Sequence, residues 1–373
     1  MYRNPFFLAL LVLFLAGVVG IGEITAPRRG ETEHAPGGKV DPNQMYIAAF
    51  DVFGSENVTP ADIEKNFGPL LHEWVTLGLT DKPESRTKAM QLENALNQKI
   101  MSHYHLAYTG WSLVQDFQPG DHAIYMTLDV VEKKDAPLRM PFHLQKPLEN
   151  LPDPHHLIRT WFQYEHEGLR LVSTGEIEPD ALHCPAFTCP FGFAAPTLAP
   201  FKSPLVSGAH QYEHEIDQFL HHASDPDQRA AAVYLASFLL DSGNTVLNWM
   251  VEKVSDPDEV VRNNALRVLA GMAKNYPQYV IPPMPLIQAL WFPRVTDRSK
   301  ALYALYQLSL TSVDTVKILR QNALPSLSRL LRSAQPDQKE LAFNLLRKVT
   351  GKRFPQTDIA SWEKGIQKMR ETP

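Results

Sequence analysis

The sequence predicts a multidomain chain: an α+β N-terminal domain followed by an all-α solenoid. Three observations carry this expectation. Segments rich in β-branched and aromatic residues alternate with helix-type segments up to about residue 179. From about Ala209 onward the strand patterns fade, and apolar residues recur at i, i+3, i+4 and i+7. Across that second half a polar turn containing aspartate recurs before an Ala- and Leu-rich stretch. At 373 residues the chain has room for two or three domains, each with its own core. Its net charge of -5 lacks the basic excess that a nucleic-acid partner would require.

The chain opens with Arg3 and an apolar run from Phe6 to Ile21. Sixteen helical residues rise roughly 24 Å, short of the ~30 Å hydrocarbon core. Residues 1–22 therefore read as a signal peptide or membrane anchor. Export places the chain in the periplasm or another extracytoplasmic space, with membrane association through residues 6–21. Residues 23–44, rich in Pro, Gly and charge, read as a flexible linker.

The α+β domain is expected over 45–179. "MYIAAFDVF" is a strand. "NVTPADIEKNFGPLLHEW" is a helix with Thr59 as N-cap, Pro60 at N1 and Asp62 at N3. A second helix runs from Ser85 to about Tyr104, and His122–Glu132 is a strand set off by the turn "QPGD". The order strand, helix, helix, strand, strand resembles a POTRA module over Tyr46–Glu132, carried by "GSENVTPADIEKNFG" and "AIYMTLDVVE". Further strands are expected at "LRMPFHLQ", "LIRTWFQYEHE" and "LRLVSTGEI", the last two as a hairpin about Gly168.

Residues 180–207 form a proline-rich connector that holds both cysteines of the chain, Cys184 and Cys189, in "HCPAFTCPFGF". The C-x4-C spacing is not the C-x-x-C of a redox motif. In an oxidising compartment two near cysteines pair, and a disulfide pinning a segment without its own hydrogen-bond ladder is the first expectation. Free buried thiols, or a metal site completed by His183 and other ligands, are the alternatives.

Residues 208–373 are expected to be helical repeats with a C-terminal cap. Leu247, Met250, Val251 and Val254 make one apolar stripe; Ala301, Ala304, Leu305 and Leu308 another; Ala342, Leu345, Leu346 and Val349 a third. Each is too short to be stable alone and must stack on its neighbours. The turns "SDPDQRAAAVYLASFLL", "SDPDEVVRNNALRVLAGM", "VTDRSKALYALYQLSL" and "AQPDQKELAFNLLRKVTG" supply Asp225, Asp256, Asp297 and Asp337. This series resembles HEAT repeats, in which an Asp-Pro turn precedes a second-helix arginine, here Arg262. The resemblance implies an α-solenoid that presents an extended surface to another protein. Trp362, in the closing segment, is expected to cap the stack, and Arg347, Lys348, Lys352 and Arg353 suit a helix C-terminus at Gly351.

No nucleophile elbow, phosphate loop, dinucleotide fingerprint or H-E-x-x-H spacing occurs, so no catalytic residue, cofactor or metal ligand is assigned. Histidines crowd the chain between His34 and His222, and "QYEHE" occurs at 163–167 and 211–215. The first reading of function is thus an exported or anchored envelope protein acting as a protein-binding scaffold. One alternative is an enzyme with a His-rich site between the two halves, since some HEAT-like families act as bilin lyases. A second, following the POTRA resemblance, is an accessory factor for outer-membrane protein assembly or secretion.

Overall fold

A computed structural model of the chain describes residues 46–80, 82–115, 123–143, 148–177 and 184–371. The expected leader and linker, and His183, lie outside the described residues. The first elements are β1 (Tyr46–Phe53), α1 (Pro60–Gly78), α2 (Pro83–Tyr104), β2 (Leu106–Gln115) and β3 (Ala123–Glu132). At the head of α1 the Thr59 side chain accepts from the Asp62 N–H, and the Asp62 carboxylate accepts from the Thr59 N–H. This reciprocal pair satisfies two donors that a helix start leaves open.

The sheet order is β1-β3-β2, with β3 parallel to β1 and antiparallel to β2. Strand periodicity divides β3 into two faces. Met126, Leu128 and Val130 share a core with Ile63, Trp74, Leu96 and Ile100 of α1 and α2. The alternate residues Thr127 and Asp129 are buried as well, and they face the helical half through hydrogen bonds from Gln335 and Arg298.

Two expected strand segments are corrected. The described part of the segment expected at Leu138–Gln145 is not a strand: a single helical turn covers Ala136–Arg139, and residues 140–143 have no regular structure. Pro137 suits the start of that turn, and the Arg139 side chain is drawn inward to the carbonyls of Gly54, Val130 and Trp291. The hairpin about Gly168 is instead one helix, α3 (Leu157–Ser173). Its buried residues Leu157, Ile158, Trp161, Tyr164, Gly168, Leu171 and Val172 follow a helical stripe. The aromatic content that suggested strands serves a helix buried along one face.

The helical half contains α4 (Lys202–Gln211), α5 (Glu213–His222), α6 (Pro226–Ala236), α7 (Gly243–Lys253), α8 (Glu259–Asn275), α9 (Pro283–Ala289), α10 (Val295–Thr311), α11 (Val313–Asn322), α12 (Leu324–Leu331), α13 (Pro336–Thr350) and α14 (Ile359–Glu371). Helices α6, α8, α10 and α13 pack on one another in succession, and α5, α7, α9 and α12 pair with them in turn. The row and α3 share a single apolar core. At its far end Trp362 is almost fully buried, edge-on to Phe343 and Phe354, with its indole N–H on the Pro355 carbonyl. The basic residues Arg347 and Lys348 fall in the last turn of α13, which closes on left-handed Gly351.

Across the connector, the sulfurs of Cys184 and Cys189 lie at disulfide distance, with Cα atoms 5.7 Å apart. Phe187, Phe191 and Phe193 are buried between α3 and the row. Two glycines permit this seating. A Cβ on Gly168 would collide with the Phe191 ring, and one on Gly271 with the Phe187 carbonyl.

Candidate partner-binding cleft

A buried charge ladder fixes the frame. Arg229, Arg262 and Arg298 are each the fourth residue of their helices α6, α8 and α10. Each guanidinium donates to the carbonyl six residues upstream: Ala223 at 2.8 Å, Asp256 at 2.9 Å and Phe292 at 2.7 Å. Each also reaches forward to a carboxylate. Arg229 holds Asp256 through two bonds of 3.0 Å, and Arg262 holds Asp297 at 3.0 Å. The third, Arg298, holds Asp129 of β3 at 2.7 Å. The sheet therefore supplies the acid at the third rung, where α13 carries Gln338 and bonds instead to the Val295 carbonyl and Ser299. Burial raises the Asp297 carboxyl against the pull of Arg262, so this rung is held by its partner rather than by solvent.

The turn aspartates take different places. Asp225 N-caps α6, accepting from the Asp227 N–H, whereas Asp258, not Asp256, caps α8. Asp297 is buried in the first turn of α10, and Asp337 lies in the first turn of α13. Sequence reading singled out Arg262 but passed over Arg229 and Arg298, although the shared place in "SDPDQR" and "VTDR" carried the signal. It also passed over Asp129, a carboxylate inside the apolar strand "AIYMTLDVVE".

The chain leaving the sheet then runs back along the turns of the row. Arg139 donates to the Trp291 carbonyl, the His143 N–H to Ser255, and Glu149 bridges to the backbone of His222 and Ser224. Phe142 lies 3.8 Å from the Arg262 guanidinium carbon, and Gln228 donates to the Leu151 carbonyl at 3.1 Å. Three successive turns are thus occupied by the protein's own backbone.

Where this run ends, a cleft of about 1230 Å³ opens between α3, the connector and the head of α6. Its apolar lining is Ile158, Phe162 and Phe201, and Phe162 is 38% exposed. Its polar lining includes Asp153, Arg159, His166, Glu167, Asp225 and Gln228. Several of these are already engaged. Asp153 Oδ2 accepts from the Arg159 N–H, and Asp225 from Asp227. Two bonds from Arg170, helped by Thr197, hold the Glu167 carboxyl down at about 2. Two acceptors are not engaged among the described residues: Asp153 Oδ1 and Gln228 Oε1 are enclosed and have no donor. Beside the lining, burial pushes the Glu165 carboxyl up to about 7, with Asp227 adding to the rise.

The two "QYEHE" copies both fall on helical segments, but they do not build one site. In the first, Tyr164 is buried with its hydroxyl on the Gly192 carbonyl, and His166 faces the cleft. In the second, Tyr212 stacks on His155 at 3.9 Å, and Glu215 pairs with the same imidazole at 2.6 Å. Among the described residues no group of three or more His, Cys, Asp or Glu side chains is placed to hold a metal ion. No single helix among them is long and apolar enough to cross a membrane.

No protein-family model matches the chain, and no curated protein matches it. Among solved structures it is similar to one described as "Crystal structure of computationally designed armadillo repeat proteins for modular peptide recognition". That likeness has 16% identity and a TM-score of 0.34, over 58% of this chain and 89% of the other.

Proposed function

We propose that the protein is a protein-binding scaffold whose helical half is built from HEAT-like repeats. The observation that carries this reading is the ladder Arg229–Asp256, Arg262–Asp297, Arg298–Asp129. Ladders of this kind fix each helical hairpin against the next and against the sheet. The result is a rigid frame with an open cleft at one end, the arrangement that recognition of a macromolecule uses.

The division into a leader at 1–22, a linker at 23–44, an α+β domain at 45–179, a connector at 180–207 and repeats at 208–373 belongs to the same proposal. So does an extracytoplasmic location, which rests on the apolar run at residues 6–21 and fits a paired Cys184 and Cys189. A POTRA-type assembly role is the second reading, favoured by the strand-helix-helix-strand-strand order.

The test is a photocrosslinking amino acid placed in intact cells at Phe162 in the cleft, and at exposed Val280 and Val313 on the stack. A discrete protein adduct at one or more positions is expected. A chain that crosslinks to nothing at any of them overturns the scaffold reading.

A further inference from the structure

We infer that the cleft takes an extended, apolar segment of a partner protein that carries an arginine or lysine side chain. The inference rests on the scaffold reading and names what that scaffold would recognise.

The unused bonding capacity of the cleft sets the chemistry. Among the described residues Asp153 Oδ1 and Gln228 Oε1 are enclosed acceptors without donors. An enclosed acceptor left unpaired costs stability that a ligand donor would restore. Asp153 has spent one oxygen on the Arg159 backbone N–H, so its second oxygen is left for a donor, and a carboxylate suits a cationic one. Gln228 already reads one main-chain carbonyl, that of Leu151, through its amide nitrogen. Its amide oxygen is then left for the complementary group of a second chain, a main-chain N–H. The carboxylates of Asp153, Glu167 and Asp225 outnumber the one cation of the lining, Arg159. Arg170 neutralises Glu167 from outside the lining, which still leaves the excess negative. Below these groups Phe162, Phe201 and Ile158 form an apolar floor. A guanidinium or ammonium on an aliphatic stem matches both layers, with the stem on the rings and the head at the carboxylates.

Phe142, His143 and Glu149 show how a chain seats on this edge: through backbone bonds at the turns and an aromatic ring set on a rung arginine. The cleft begins where that run ends, so a partner strand would continue the same track.

The test uses the full chain and two fluorescein-labelled synthetic peptides, one alternating leucine with arginine, the other leucine with glutamate, read by anisotropy. The arginine peptide is expected to bind at least about tenfold more tightly than the glutamate peptide. Phe162→Ala and Asp153→Asn are each expected to weaken it about fivefold or more, whereas Asp314→Asn, on the exposed surface, leaves it unchanged. Unfolding curves that match the parent confirm that the variants are folded. Binding of neither peptide, equal binding of both, or indifference to the cleft variants overturns the inference. If crosslinks at Val280 or Val313 persist while the peptides fail, the scaffold reading stands without this cleft. If crosslinks and peptides both fail, that reading falls too.

Discussion

Arg298 and Asp129 form an ion pair of 2.7 Å in which neither side chain is exposed. The arginine belongs to the helical row and the aspartate to the central strand of the sheet, so one bond ties the two architectures. Ser112 also donates to Asp129, and the Phe53 ring lies 3.8 Å from the guanidinium carbon of Arg298. Removing one partner leaves a buried charge without compensation. Asp129→Asn is therefore expected to cost about 3 kcal/mol or more in urea unfolding. Asp129→Leu combined with Arg298→Met should cost less than the sum of the two single changes, because no orphan charge remains.

The middle rung gives a pH signature. Burial already raises the Asp297 carboxyl, and Arg262 opposes that rise. In Arg262→Met the folded-state pKa climbs further above the unfolded value. A carboxyl raised in this way penalises the fold above its unfolded pKa, and the penalty fades as pH falls. The variant should thus lose about 3 kcal/mol at neutral pH and recover part of it near pH 4.5, measured by urea titration at both values.

Glu165 carries the same sign on the wild-type chain. Its folded pKa of about 7 lies above the ordinary carboxylate range through burial, with Asp227 beside it. Its contribution to stability is neutral below the ordinary carboxylate pKa, turns unfavourable as pH rises from there towards 7, and is constant above. Glu165→Gln should therefore raise the unfolding midpoint at pH 8 by the equivalent of about 1 kcal/mol and have little effect near pH 3.5. Thermal scans across that range check it.

The connector is seated against glycines rather than against replaceable side chains. Gly271→Ala sets a methyl group on the Phe187 carbonyl, which is backbone and cannot swing aside. The expected cost is about 1–3 kcal/mol, with faster proteolysis between residues 184 and 198 as a second readout.

Reduction tests the cysteine pair. Closing so short a loop is worth about 2 kcal/mol by the chain-entropy account, so a reductant should lower the melting temperature by a few degrees. Free-thiol titration of the native protein should find neither sulfur reactive. Two reactive thiols would refute the pairing.

Much of the frame was legible because it obeys one-dimensional rules. The α1 start is written in Thr59, Pro60 and Asp62, and the repeating turns with their stripes announced the helical half. The cleft was not legible. It depends on α3, whose Trp161, Phe162 and Tyr164 are strand-favouring types and whose neighbours alternate well enough to read as a hairpin. Only packing against α4 and α6 decides for the helix, and that contact is invisible in a local window. Asp129 was missed for the same kind of reason. Its partner lies on another element, and a strand shows one carboxylate without showing what answers it.

The distance along the chain between the joined groups has a consequence for biosynthesis. Asp129 precedes Arg298 by 169 residues, Tyr125 precedes Gln335 by 210, and Asp51 precedes Ala334 by 283. Contacts so remote in sequence form late, since loop closure must come before they contribute. On the ribosome the sheet emerges first, and its Thr127 and Asp129 face meets water until α10 and α13 have been made. A nascent or truncated chain that stops before α10 carries that polar face without the Arg298 guanidinium to meet it. Docking of the sheet therefore reports that translation has reached the last repeats, and partial products are distinguishable from the finished chain by an open, protease-accessible seam.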